Sequence, residues 1–284
     1  MPLVTIADLN DQEEAREKIE LAKQLSLLYD EYVNTEEDDS HLRAPGIHPS
    51  EFSSCLRKTT YSLHNYAKKS SINKFWRQRF KVGHAIHNMV QTDFAKLSRR
   101  TLKYARQAAK ERDWVLEFER EVQISAEFQP LAKALHLEGH CDGIFTFRET
   151  PHGPAILRIG AEIKTESPAE FEKLTAPRPD HIKQAHLYMA ALDLPLMWFF
   201  YFSKGTQNNT NSEQPWLIPF DPNEWHDVEE RCRLALDIYD KKELGPRQES
   251  IACSFCSYSW TCQPASLQPG KNHKQESLRV PKVG

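Results

Sequence analysis

The chain has 284 residues, 39% of them hydrophobic and 27% charged, with a formal net charge of −3. This is the balance of a soluble protein with polar extensions, long enough for one large domain plus appendages. The longest apolar run, Leu194 to Phe202, is too short to span a bilayer, which excludes that class of membrane protein. The start of the chain reaches Asp8 and Asp11 without a basic, apolar leader, so a cytoplasmic location is expected. In that reducing compartment the six cysteines are expected as thiols or metal ligands rather than disulfides.

Residues 11–33 read as an amphipathic helix, with Ala15, Ile19, Ala22, Leu25, Leu28, Tyr29 and Tyr32 on one stripe. The block from Asp8 to Asp39 holds twelve acidic residues against Arg16, Lys18 and Lys23, a local net of −9 that reads as a solvated helix face. Residues 35–40 read as an exposed linker, so residues 1–40 form an acidic extension. Pro49-Ser50 predicts the start of a helix carrying Cys55, Arg57 and Tyr61.

A longer helix is predicted from residue 73 to 100 or beyond. From Lys68 to Arg112 there are thirteen Lys or Arg against Asp93 and Glu111, a local net of +11. Such a block suits a polyanion-binding surface or a solvated helix in equal measure. Trp76, Arg77, Arg79 and Lys81 mix stacking with charge, as a single-strand path requires. The DNA-binding set expected from the basic residues is Arg57, Arg77, Arg79, Arg99 and Arg100.

The period then changes. Residues 115–124, 135–147 and 155–165 predict three successive strands, 180–192 a helix and 196–202 a buried strand. A polar loop over 207–214, a strand over 216–220 and a helix opened by Asp221-Pro222 and running to about Leu244 complete the pattern. This order gives an α/β sandwich around a mixed sheet. The tail beyond Pro264, residues 265–284, is polar and expected to be disordered.

Glu162-Ile163-Lys164 ends an apolar strand, so the carboxylate and the ammonium share one face while Ile163 packs into the other. Side by side they suit a metal ion and a polarised water. The preceding strand offers Asp142 within Gly139-x-x-Asp142, before the apolar run Ile144 to Phe147. Two adjacent strands then present Asp142 and Glu162 to one hard cation, Mg²⁺ or Mn²⁺. Gly83 and His87 lie one helical turn apart upstream, as do Gln184 and Tyr188 downstream. Taken singly, each residue has an ordinary structural role. His87 reads as a helix-face histidine, Asp142 as a turn residue, and Glu162 with Lys164 as a surface pair.

Cys253-x-x-Cys256 followed by Cys262 forms a compact triplet, and Cys55 lies far upstream. Four thiolates bind Zn²⁺ or hold an iron–sulfur cluster. Cys141 and Cys232 fall outside this pattern and read as core residues.

The order GxxxH, GxxD, ExK and QxxxY resembles the RecB-like branch of the PD-(D/E)xK nucleases. More narrowly, it resembles the CRISPR-associated iron–sulfur exonucleases and their phage relatives. The resemblance covers residues 47–264, and the nuclease domain is set at 41–264. It implies a restriction-endonuclease-like α/β core with a helical portion stapled by a 4Fe–4S cluster on Cys55, Cys253, Cys256 and Cys262. It implies His87, Asp142 and Glu162 as metal ligands, with the Ile163 carbonyl as a further oxygen. Lys164 would act on the attacking water or the transition-state charge, and Gln184 and Tyr188 would contact the nucleic acid. The activity implied is a deoxyribonuclease, an exonuclease on single strands or DNA ends with 5′→3′ polarity. Recombination, repair or CRISPR-adaptation proteins would be its partners. The rival is a non-catalytic iron–sulfur DNA-binding or assembly subunit.

Overall fold

The computed structural model describes residues 44–53, 55–68, 74–108, 115–205 and 213–262. The expected acidic helix, its linker and the polar tail lie outside these residues. In chain order the elements are α1 (Pro49–Phe52), α2 (Leu56–Leu63), α3 (Lys74–Ala108), β1 (Val115–Ile124), α4 (Pro130–Leu135), β2 (Gly139–Arg148) and β3 (Ala155–Glu166). They continue with α5 (Pro168–Phe171), α6 (Pro179–Leu192), β4 (Leu196–Ser203), β5 (Glu213–Pro219), α7 (Pro222–Asp240), a 3₁₀ turn (Ile251–Phe255) and α8 (Ser259–Cys262).

The five strands form one sheet in sequence order. β1, β2 and β3 make an antiparallel meander. β3 pairs parallel with β4, and β5 returns antiparallel to β4. The parallel step requires a crossover, which α6 supplies. β4 is apolar on both sides because helices cover both faces of the sheet there. Met197, Phe199 and Tyr201 are buried on the α6 and α7 side, while Trp198, Phe200 and Phe202 pack with α3. Pro215 and Pro219 are tolerated in β5 because it is an edge strand.

Two cores result. The larger joins α1, α2, α6 and α7 to one face of the sheet, around residues such as Leu135, Leu187, Phe199 and Cys232. The smaller clamps α3 to the other face through Val90, Phe94, Phe145, Ala161 and Ile163. Phe94 stacks on Trp198 at 5.2 Å and meets Phe145 and Phe200 edge-on. Among the described residues no helix is long and apolar enough to cross a membrane.

The boundaries depart from the sequence reading in places. The strand expected over 135–147 begins only at Gly139, and Pro130–Leu135 is a helix closed by His136 in the left-handed region (φ 50°). Leu135 and Leu137 are both fully buried, so their spacing imitated strand alternation although one ends a helix and the other bridges to Ile47. The helix expected from Pro49 through Tyr61 is two helices, with Cys55 as the extended residue capping the second. β5 starts at Glu213, within the stretch read as a loop. α7 ends at Asp240 rather than near Leu244, and Lys242 adopts φ 58° just beyond it.

Candidate active site and cysteine cavity

The described ladder between β2 and β3 ends at Gly143 and Ala161. Beyond it a side chain replaces the missing strand partner: the Ile163 N–H donates to Asp142 Oδ2 at 2.7 Å. This anchors Asp142 at the mouth of the gap. The motif glycines explain how other elements come so close. A Cβ on Gly139 would stand 3.1 Å from Pro49 Cδ, and one on Gly83 would stand 3.1 Å from Thr165 Oγ1. Glycine at 143 is set by packing, since a Cβ there would lie 2.4 Å from the Phe118 ring.

Glu162 is 4% exposed and faces α6. Its Oε1 accepts from Lys164 Nζ at 2.8 Å and from Gln184 Nε2 at 2.8 Å. Lys164 Nζ also donates to Gln184 Oε1 at 2.7 Å, and Gln184 Nε2 donates to the Tyr188 hydroxyl at 2.8 Å. One buried amide therefore fixes both the carboxylate and the ammonium. Glu162 Oε2 is buried without a hydrogen-bond partner. Burial and the Asp142 carboxylate push the Glu162 carboxyl up to about 7, against the pull of Lys164 and His87.

His87 Nδ1 lies 3.5 Å from Asp142 Oδ2. One turn further along α3, the fully buried Gln91 donates to the Asp142 carbonyl at 2.9 Å and to the Glu121 carboxylate. Glu121 itself adopts φ 52°, a strained conformation for a residue with a Cβ. Asp142, Glu162, Lys164, His87, Gln184 and Tyr188 all line one open cleft of about 750 Å³. The Cys141 thiol beside it is fully buried and donates to the Gly143 and Ala161 carbonyls. Burial and Glu162 hold it protonated, so it belongs to the core as its place outside the cysteine pattern suggested.

Gln184 and Tyr188 were expected to meet nucleic acid, but both are buried and their polar atoms engage Glu162, Lys164 and each other. They stand at the wall of the cleft that they line with Glu162 and Lys164. Arg57 lies in a different cavity, where its Nε donates to the Gly245 carbonyl at 2.7 Å. Arg77 and Arg79 are half-buried on the first turns of α3. The side chains of Trp76, Arg99 and Arg100 lie outside the described residues. Sequence reasoning missed Gln91 and Glu121. Gln91 continues the row of Gly83 and His87 at four-residue spacing, and that signal was available.

The second convergence is of thiols. Cys55, Cys253, Cys256 and Cys262 line one cavity of about 430 Å³, and all four are free and half-buried. Burial pushes the Cys256 and Cys262 thiols up, and the neighbouring cysteines add to the effect. Residues 243–248 lace this region to α2. The Gly245 N–H donates to Thr60 Oγ1 at 3.0 Å, and the Leu56 N–H to Gln248 Oε1 at 3.3 Å. Among the described residues no three His, Cys, Asp or Glu side chains stand at ligating spacing for a metal.

No protein-family model matches the chain, and no curated protein matches it. Among solved structures it is similar to the protein SSO0001, at 16% identity over 88% of this chain and 95% of that one, with a TM-score of 0.41. It is also similar to the alkaline exonuclease LHK-Exo from Laribacter hongkongensis, at 14% identity over 71% and 91% of the two chains, with a TM-score of 0.39. The same exonuclease in complex with dAMP gives 15% identity, the same coverage and a TM-score of 0.38. These likenesses are weak, and the chemistry of the site rests on its own residues.

Proposed function

We propose that the chain is a divalent-metal-dependent deoxyribonuclease, an exonuclease hydrolysing phosphodiester bonds of single strands or DNA ends from 5′ to 3′. The observation that carries this reading is the junction of Asp142, Glu162 and Lys164, held by Gln184 in an open cleft, with one Glu162 oxygen buried and unpartnered. A buried acceptor with nothing to accept is costly. A hard cation would satisfy it, and two carboxylates are the donors such a cation takes.

Asp142, Glu162, His87 and the Ile163 carbonyl would hold Mg²⁺ or Mn²⁺. When bound, the ion supplies Lewis acidity and lowers the pKa of a coordinated water. The protein's own part is positioning. The Lys164 ammonium, fixed by two hydrogen bonds, holds the attacking water or the charge that builds on the phosphoryl oxygens. Gln91 fixes the Asp142 backbone from the α3 side. His181, also on α6, is held neutral by burial with Lys164 and Arg178 nearby, so it donates no proton at ordinary pH.

The four converging thiols hold a structural 4Fe–4S cluster in this reading. Their support is the shared cavity, which Cys55, Cys253, Cys256 and Cys262 line together. DNA is the partner, within recombination, repair or CRISPR adaptation.

The test uses the full chain, purified anaerobically, on end-labelled single- and double-stranded oligonucleotides. Shortening from 5′ ends is expected with Mg²⁺ or Mn²⁺, none with EDTA, and binding with little turnover in Ca²⁺, whose looser coordination positions the nucleophile poorly. A protein that binds DNA yet cleaves nothing with any of these metals would instead be the non-catalytic subunit.

A further inference from the structure

The wall of the thiol cavity carries a hydrogen-bond donor with nothing to receive its proton. Tyr61 of α2 is fully buried and lines the cavity together with Cys55, Cys253, Cys256 and Cys262. Its hydroxyl is buried and has no hydrogen-bond partner among the described residues. A buried hydroxyl left in that state is costly.

The neighbours do not relieve it. Arg57 lies one turn earlier on α2 and lines the same cavity, but a guanidinium only donates and takes no proton from a phenol. The Arg57 Nε is itself directed to the Gly245 carbonyl at 2.7 Å. The rings of Tyr66 and Tyr258 pack on Tyr61 with centroids 4.8 and 5.2 Å away, which fixes the phenol in place. Tyr258 also links Tyr61 to the cysteines, because its carbonyl accepts from the Cys262 N–H at 2.8 Å. Burial, and after it the Cys262 thiol, push the Tyr61 hydroxyl up to about 12, so it keeps its proton at ordinary pH.

The remaining wall suits an anionic occupant. Arg57, Lys58 and Arg247 line the cavity against Asp180 and Glu249. Arg247 also donates to the Cys262 carbonyl at 2.9 Å. Four thiolates leave an iron–sulfur cluster with a net negative charge, which cations and a free O–H both stabilise.

We propose that Tyr61 donates its O–H to the Cys262 sulfur in the cluster-loaded protein and thereby raises the reduction potential of the cluster. This rests on the iron–sulfur part of the proposed function and is independent of the hydrolytic centre. Hydrogen bonds to ligand sulfurs favour the reduced cluster, which carries one more negative charge, so their loss lowers the potential. Tyr61 is a positioning residue, since it acts through a ligand.

The experiment titrates anaerobically purified full-length wild type, Tyr61→Phe and Tyr258→Phe potentiometrically, with visible absorbance and electron paramagnetic resonance as readouts. Tyr258→Phe removes a hydroxyl from the same packed pair of rings, but Tyr258 does not line the cavity. The Tyr61→Phe midpoint should fall by about 59 mV, a ten-fold change in a one-electron equilibrium. Tyr258→Phe should keep the wild-type midpoint. A Tyr61→Phe midpoint equal to that of the wild type overturns the proposal and leaves the cluster standing. Equal shifts in both variants overturn it in favour of a general effect of ring packing. A Tyr61→Phe chain that loses its iron while its circular dichroism matches the wild type supports it. One that loses iron and fold together assigns the hydroxyl a structural role and overturns it. A colourless wild type without iron overturns the cluster reading and this inference together.

Discussion

The carboxylate centre and the cysteine cavity are neighbours, with Ser50 lining both, yet they are built in opposite ways. The first stands on β2, β3 and α6, and its polar atoms are cross-linked through Gln184 until one Glu162 oxygen remains. The second stands on a helix cap, a 3₁₀ turn and a short helix, and no side-chain network like that of Gln184 ties its four thiols to one another among the described residues. Sheet and helix hold side chains in place before a ligand arrives, whereas loops rely on the ligand to complete them. The difference therefore separates chemistry from stability. Damage to the first centre should stop the reaction and spare the fold, and damage to the second should do the reverse.

The largest effect should follow at the carboxylate centre. Glu162→Ala and Lys164→Ala should each lower kcat by at least about a hundred-fold, the scale on which loss of a positioned electrostatic group is felt. Glu162→Ala should not lower the melting temperature much, because it removes a buried carboxyl whose charged form the site disfavours. Steady-state cleavage and thermal melting on the same samples check both halves. A Glu162→Ala protein that cleaves at near wild-type rate would end the assignment, and one that fails to fold would end the division of labour.

The cysteine cavity should show the reverse pattern. Anaerobic protein should be brown, and Ala at any one of Cys55, Cys253, Cys256 or Cys262 should bleach it, since the four line one cavity. Stability should fall by a few kcal/mol, because ligation energy is coupled to folding. Cys141→Ala and Cys232→Ala should keep the colour, as both thiols are fully buried elsewhere in the core. Absorbance, metal analysis and melting decide the outcome. A colourless protein with stoichiometric zinc would replace the cluster and keep the closure, while a brown, stable Cys55→Ala would remove Cys55 from the set. The hydrogen bonds from residues 243–248 to α2 already tie the two ends together. Part of the closure should therefore survive cluster loss.

The same contrast governs what the sequence made legible. The alternation of ExK on an apolar strand announced which residues would share a face, and Glu162, Lys164 and Ile163 divide accordingly between α6 and the α3 core. The hydrogen bonds that Gln184 makes to Glu162, Lys164 and Tyr188 were not legible, because four-residue spacing states that two residues share a helix face but not what that face meets. Gln91 and Glu121 depend on how α3 crosses β1 and β2, which is a tertiary fact. The break between α1 and α2 was hidden because Ser53 and Cys55 carry no strong stop signal, and α4 because Leu135 and Leu137 imitate a strand. The gathering of Cys55 with the distant triplet came from a pattern of resemblance. No local propensity carries information across that separation.

The smallest effect tests the wall between the two regions. His181 on α6 has its Nδ1 2.6 Å from the Tyr201 hydroxyl on the sheet side, and its Nε2 3.8 Å from Asp180, which lines the cysteine cavity. The Asp180 contact suggests an ion pair, but burial, together with Lys164 and Arg178, lowers the ring's pKa to about 2. The side chain is only 17% exposed, and Asp180 is 55% exposed and well solvated, so the neutral form is favoured. The unfolded chain takes up a proton at His181 below about 6.5, and the folded chain does not until about 2. The contribution is therefore fully present above 6.5 and lost as pH falls below it, at about 1.4 kcal/mol per pH unit. His181→Gln cannot titrate, and other groups contribute equally to both proteins. The stability difference between wild type and His181→Gln, measured by urea unfolding, should therefore shift against the wild type by about that amount per unit between pH 6 and pH 4.5. Parallel curves would mean that the folded protein protonates the ring and pairs it with Asp180. The two regions would then share a charge across His181 instead of being insulated by it.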